Sequence, residues 1–329
     1  MSEQRKKTLR RRDFVKASAM TTAGLILANP KSAFSAQANS RINLGVIGPG
    51  GRGTHDAGVF VSVTETQVTA LTDAFPDRLE AAKNALDARL VEKGRPKIDK
   101  KRLYPGMKGY EELLVSGVDA VLITSPPFYH PEHIEAAVEA GVHVYTEKPV
   151  GTDVYGCKRV IKAGEKAEGK LSVQVGFQLR NSRTYAEIAK RIARGDIGEP
   201  VSGQIYYHSG ALGDRSHPGE SKDQTRLRNW VFDIALSGDI IVEQNVHCID
   251  MANWLLQSHP TKAVGNGGQK ARVGLGDCYD HFQVLYTYPN DVQMAFTSTQ
   301  FLKGWGDVAV RIYGTKGVAE IHYGSPNRI

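Results

Sequence analysis

Cysteine is scarce in this chain: Cys157, Cys248 and Cys278 are the only three among 329 residues. The number is odd and no two stand in a CxxC pair, which argues against a disulfide framework or a cysteine-based metal site. Each reads as a buried free thiol. Long apolar runs are missing too. No stretch reaches the roughly 20 residues that a membrane span needs, so no stable span is expected. Positive charge is plentiful overall, at +7, but it sits at one end. Residues 1–38 hold eight Lys and Arg against two acids, a net +6, which leaves +1 for everything after them. A body that close to neutral has no electrostatic footprint for nucleic acid. His130 and His133 lack a clear third ligand, so no metal site is expected either. What remains, with 41% apolar and 23% charged residues, is an ordinary globular protein long enough for two domains.

The basic end has the three parts of an export signal in order. Arg11-Arg12-Asp13-Phe14-Val15-Lys16 resembles the twin-arginine motif, an apolar run follows from Ala17 to Ala28, and Ala33-Phe34-Ser35 and Ala36-Gln37-Ala38 offer small-x-small cleavage sites. A basic amphipathic helix is the other reading, and Gly24, Asn29 and Pro30 would interrupt it. Residues 1–38 are therefore expected to be a signal peptide that takes the protein to the periplasm through the twin-arginine machinery.

Beyond Ala38 the pattern becomes α/β. Ile42–Ile47 is a short apolar run with strand character, and Gly48-Pro49-Gly50-Gly51-Arg52-Gly53 follows it. Glycines at 48, 50 and 53 suit, in turn, a tight turn, close approach of a pyrophosphate, and close packing of the next helix. A second strand, Gln67–Thr72, ends at Asp73, 20 residues past Gly53, where a ribose-binding acid belongs. That carboxylate would repel a 2′-phosphate, so the expected cofactor is NAD; Arg52 and Arg78 nearby keep NADP open.

Strands and helices then alternate: a helix at Pro76–Val91, a strand at Val118–Ile123, a helix at Pro131–Ala140, a strand at Val142–Tyr145, a helix at Tyr155–Ala167 and a strand at Leu171–Val175. This predicts a doubly wound parallel sheet over residues 39–175, with ligands at the carboxyl ends of its strands. Those ends carry Ser125, Pro126, Pro127 and His130 after one strand, and Glu147, Lys148 and Pro149 after the next. Two prolines form a stiff wall without N–H donors, suited to a flat ring. Lys148, beside the expected nicotinamide, is a candidate for proton transfer or substrate orientation.

These segments carry a family resemblance. The glycine loop, the Ser125-Pro126-Pro127-x-x-His130 segment and the Gly141–Pro149 run with its Glu-Lys-Pro resemble the glucose–fructose oxidoreductase/inositol dehydrogenase (Gfo/Idh/MocA) family, from Arg41 to about Tyr323. The resemblance implies that Lys148 lies near nicotinamide and substrate, and that Pro126 and Pro127 line the cofactor pocket. The Lys148–Pro149 bond is a candidate cis peptide.

Residues 176–329 read as an α+β substrate domain. A polar helix at Ser182–Arg194 precedes strands at Val201–Tyr207, His281–Thr287, Gln293–Thr299 and Val308–Tyr313, whose period-two pattern predicts an open, mainly antiparallel sheet. The family implies oligomer contacts through that sheet and a chain continuing past Ile329. The run Gly238–Leu256 reads as one helix, with Glu243 and His247 on one face. A histidine near neutral pKa beside a carboxylate suits proton exchange with a sugar hydroxyl. The family pattern there is Asp-x-x-x-His, so Glu243 departs from it by one methylene. Gly176–Arg180 resembles the family's segment at the domain junction, and Arg228-Asn229-Trp230 and Lys303-Gly304-Trp305 resemble its substrate-side segments, which makes Arg180 and Trp230 candidates for binding substrate, although a tryptophan fits a core equally well.

The expected protein is thus a sugar or polyol oxidoreductase. Hydride moves between substrate carbon and nicotinamide, Lys148 and His247 share the proton, and Glu243 orients His247 or binds a neighbouring hydroxyl. Outside the cytoplasm free cofactor does not exchange, so NAD is expected to be tightly bound. Two other readings stay open: a redox-neutral glycosidase or lyase using bound NAD, and a sugar-binding protein without catalysis.

Overall fold

The structure is a computed structural model that describes residues 41–324 and 327–329. The proposed leader, residues 1–38, lies outside the described residues.

The first domain alternates strictly. It runs β1 (Ile42–Ile47), α1 (Gly51–Val63), β2 (Thr66–Asp73), α2 (Pro76–Glu92), β3 (Leu103–Pro105), α3 (Gly109–Leu114), β4 (Ala120–Ile123), α4 (His130–Glu139), β5 (His143–Thr146), α5 (Val154–Ala167) and β6 (Val173–Val175). All five strand pairings are parallel, in the order β3-β2-β1-β4-β5-β6. The strand order reverses at β1, which creates the crevice in which open parallel sheets bind ligands. Leu44, Val46 and Ile47 are buried, as expected of a central strand covered on both faces. One apolar cluster joins β1 and β2 to α1 and α2; a second packs α3, α4 and α5 on the other face. Pro76 opens α2, where its missing N–H costs nothing, and Asp77 in the first turn suits the helix dipole. Asp153 caps α5 by accepting from the Gly156 N–H at 2.6 Å.

The second domain contains α6 (Arg183–Ala193), β7 (Pro200–Gly210), three short helices α7 (Lys222–Arg228), α8 (Ile234–Ser237) and α9 (Asp239–Glu243), then α10 (Val246–Leu255) and the strands β8 (Lys262–Gly268), β9 (His281–Thr287), β10 (Gln293–Leu302), β11 (Asp307–Gly314) and β12 (Val318–His322). Its sheet runs β12-β11-β7-β10-β9-β8, antiparallel except where β7 meets β10. The period of two is plain in β10, where Met294, Phe296, Ser298 and Gln300 are buried. That face packs on α6 and α10, which contribute Tyr185, Ile188 and Ile192, and Met251 and Leu255. The opposite face is open and exposes Val264 and Leu285.

Three strands, β3, β8 and β12, have no counterpart among those expected from the sequence. β8 contains three glycines and lies mostly exposed, so it carries no apolar alternation to read. The larger difference is the helix expected over Gly238–Leu256, which breaks in two around Gln244 and Asn245. The Asn245 N–H bonds five residues back, to the Ile240 carbonyl at 2.8 Å, and α10 starts afresh from there.

Candidate functional site

A cavity of about 720 Å³ lies above the carboxyl ends of β1, β2 and β4. Its floor is the loop from Gly48 to Gly53. Gly48 sits at φ +79°, and a Cβ there would strike the Ser125 backbone. A Cβ on Gly53 would collide with Thr124 and stand 2.8 Å from the Gly48 carbonyl, so the start of α1 presses directly on the sheet. Above Gly50 and Gly51 there is nothing within 4 Å, and the first turn of α1 carries no acidic residue. First-turn N–H groups have no helical acceptor, so this open floor is a cradle for an anionic diphosphate. Asp73 and Arg78 stand on the β2 side of the cavity, and Ser125 and Pro126 on the β4 side. Burial pushes the Asp73 carboxyl upward, against the opposing effect of the Phe75 N–H that it accepts at 2.9 Å. These features fit a dinucleotide.

Several residues assigned from sequence stand elsewhere. Pro127 is buried in a 3-10 turn and is not part of the cavity wall. His130 is also behind the wall: its ring nitrogens lie 2.7 Å from the carbonyls of Ser125 and Pro149, so it clamps together the loops that follow β4 and β5. Burial pushes it down to about 4, so the neutral ring donates its single N–H to only one of these carbonyls. The Lys148–Pro149 peptide in that clamp is cis. Trp230, expected on the substrate side, lines the cavity with Asp73 and Arg78. Arg180 is engaged by Asp250 of α10 in two hydrogen bonds of 2.8 and 2.7 Å, rather than standing free for substrate. Glu147 packs over Gly176, and burial together with neighbouring Asp56 pushes its carboxyl up to about 7. Sequence reasoning did not single out Tyr110, His133, Arg215 or Leu227 for this cavity. His133 accompanies the strand-end loop and lies 3.0 Å from the Ser125 hydroxyl, so strand-end position pointed towards it. Arg215 and Leu227 arrive from the other domain, and no local pattern announces them.

Lys148, Glu243 and His247 meet where the two domains adjoin. The Lys148 ammonium donates to the Glu243 backbone carbonyl at 2.5 Å and to its carboxylate at 3.3 Å. In an unbroken helix that carbonyl would accept from the His247 N–H; the break after α9 leaves it free for Lys148. His247 is buried, and its Nδ1 has no partner among the described residues. It does not titrate near neutrality as expected from sequence. Burial, and then the charges of Lys148 and Arg52, push it down to about 3. Arg52 also lines the cavity, so the same guanidinium faces both the diphosphate cradle and this charged group. The site therefore offers a fixed ammonium, a carboxylate and a neutral imidazole beside the cradle. Among the described residues no cluster of three or more His, Cys, Asp or Glu side chains is arranged to hold a metal ion. No helix among them is long and apolar enough to cross a membrane.

A six-stranded parallel sheet with a diphosphate cradle, joined to a second open-sheet domain that meets it at a lysine, defines a two-domain dinucleotide-binding protein. Residues 42–177 match the Gfo/Idh/MocA model described as "Oxidoreductase family, NAD-binding Rossmann fold", and residues 185–320 match the GFO/IDH/MocA C-terminal domain. The chain belongs to the Gfo/Idh/MocA family. It is 30% identical over 223 residues to inositol 2-dehydrogenase 3 of Saccharopolyspora erythraea, covering 68% of this chain and 56% of the relative. It is 28% identical over 284 residues to inositol 2-dehydrogenase of Pseudomonas fluorescens, covering 85% and 74%. The fold is similar to that of a crystal structure of myo-inositol 2-dehydrogenase from Lactobacillus plantarum, with a TM-score of 0.69, 22% identity, and 88% of this chain and 79% of that one covered. The chain thus spans between 38% and 74% of the length of the curated relatives it matches.

Proposed function

We propose that the protein oxidises a secondary hydroxyl of a cyclic polyol or sugar, or runs the reverse reduction, with NAD. The observation that carries this reading is the pairing of Lys148 with Glu243 across the domain junction, beside a neutral His247 and next to a cradle that fits a dinucleotide. The names of the curated relatives support an inositol-like substrate.

Gly48, Gly50, Gly51 and Gly53 would hold the diphosphate, and Asp73 the adenosine ribose, which favours NAD over NADP. When bound, NAD supplies the hydride acceptor. The protein's own residues handle the oxygen and the proton. Lys148, fixed by Glu243, donates a hydrogen bond to the hydroxyl oxygen and orients the alcohol. As the C–H bond breaks, the hydroxyl acquires the character of a protonated carbonyl. It is then acidic enough to release its proton to a weak base, and His247 is neutral and placed to take it. The ketone remains. Glu243 keeps Lys148 in register and offers its carboxylate to a neighbouring hydroxyl.

The leader supports export by the twin-arginine route to the periplasm. The open face of the C-terminal sheet, with Val264 and Leu285 exposed, supports a homo-oligomer formed through it. The test is absorbance at 340 nm during incubation with NAD and a panel of inositols and aldoses. NADH formation with at least one cyclic polyol or aldose is expected. No reduction with any of them, together with aglycone release from glycosides without added cofactor, would contradict net oxidation.

A further inference from the structure

The adenosine half of the cavity is not built by the first domain alone. Residues 211–230, which follow β7, leave the second domain, and Arg215, Leu227 and Trp230 join Asp73 and Arg78 in lining the cavity. The segment is ordered by its own hydrogen bonds. The Asn229 amide donates to Asp214 at 2.7 Å and to the Ser216 hydroxyl at 2.9 Å, and its carbonyl oxygen accepts from the Arg215 N–H at 2.9 Å. Ser221 and Gln224 form a reciprocal cap at the start of α7.

One residue fastens this segment to the first domain. Arg228 is buried, at 5% exposure, and makes two hydrogen bonds to Asp77 in the first turn of α2, at 3.1 and 2.8 Å. It also pairs with Glu220 within the segment. Its guanidinium lies 3.9 Å above the centre of the Phe75 ring. Phe75 is in turn the residue whose N–H donates to Asp73. A single side chain therefore ties the segment both to α2 and to the turn that positions the ribose-binding carboxylate.

We propose that residues 211–230 form the closing wall of the adenosine subsite, and that the Arg228–Asp77 latch sets how long the dinucleotide stays bound. The proposal rests on the NAD reading above. The wall occupies the side from which an adenine nucleotide would leave, with Trp230 and Leu227 giving it apolar surface. Release then requires the latch to open. Asp77 is half exposed, so opening needs no disruption of either core.

The test is stopped-flow release of NADH from the full chain, followed by its fluorescence, for the wild type, Asp77→Asn and Arg228→Met, with thermal melts to establish that each is folded. Asp77→Asn leaves Arg228 and Glu220 paired and removes the charge from the bond between the domains. Release at least about tenfold faster in Asp77→Asn than in the wild type is expected, the scale set by loss of a bidentate charged pair. Folded variants that release NADH within twofold of the wild type would overturn the latch while leaving the cofactor reading intact. A wild type that binds no NADH would overturn the cofactor reading itself, and the latch with it.

Discussion

Lys148 and Glu243, 95 positions apart, are joined twice: the ammonium donates to the Glu243 backbone carbonyl at 2.5 Å and to its carboxylate at 3.3 Å. The two bonds make different predictions. Glu243→Gln keeps the carbonyl bond and loses the charge, so kcat should fall by roughly tenfold. Lys148→Ala removes the group that orients the hydroxyl, and kcat should fall by about 10²–10⁴. Dinucleotide affinity, titrated separately by fluorescence, should change by less than about threefold in both.

The glycine loop separates folding from binding. A Cβ on Gly50 meets nothing within 4 Å, so Gly50→Ala should fold with unchanged thermal stability and lose at least about tenfold in NAD affinity, because the methyl enters the space for the diphosphate. A Cβ on Gly53 collides with Thr124 and the Gly48 carbonyl. Gly53→Ala should therefore lose stability as well, by roughly 1–3 kcal/mol for overpacking. Thermal melts paired with cofactor titrations distinguish the two.

Three buried histidines make the fold sensitive to acid. His130, His133 and His247 are pushed down to about 4, 3 and 3, each chiefly by burial, so the native state binds fewer protons than the unfolded chain. Their contribution to stability is complete above the unfolded value near 6.5 and is lost as pH falls from there towards 4 and 3. Each lowers stability by about 1.4 kcal/mol per pH unit within that window. Urea unfolding at pH 7, 6 and 5 should show the decline. His247→Asn, which removes a ring whose Nδ1 has no partner among the described residues, should make it shallower.

Glu147 acts in the opposite direction. Its carboxyl is pushed up to about 7, chiefly by burial and then by Asp56, so the native state holds a proton that the unfolded chain releases near 4.5. The stability it contributes is complete below 4.5 and is lost as pH rises through 7. Glu147→Gln should therefore raise the melting temperature relative to the wild type at pH 8 and change it little at pH 4.5.

The sequence revealed the parts whose chemistry is local. β1, the glycine loop and Asp73 follow one another within 32 positions, and each step has a steric or electrostatic reason visible in residue type. The period of two in β10 likewise announced its buried face. Features that depend on tertiary contact were not legible. Nothing in the run from Gly238 to Leu256 signals a break at Asn245, because apolar residues recur on both sides of it, yet that break frees the carbonyl that holds Lys148. His130 looked like a cofactor residue because it follows a strand end; its ring instead turns inward to two carbonyls. Trp230 and Arg215 reach the cavity from a segment that Arg228 bonds to α2, a contact 151 positions long in sequence.

The central claim is that the crevice orients a dinucleotide from the Asp73 end towards Lys148 and His247. A crystal structure of the protein soaked with NAD tests it most directly. The predicted result is adenosine under Trp230 with its ribose on Asp73, the diphosphate over Gly50 and Gly51, and the nicotinamide ring facing Lys148 and His247. Nicotinamide bound at the Asp73 end, or density only outside the crevice, would contradict it.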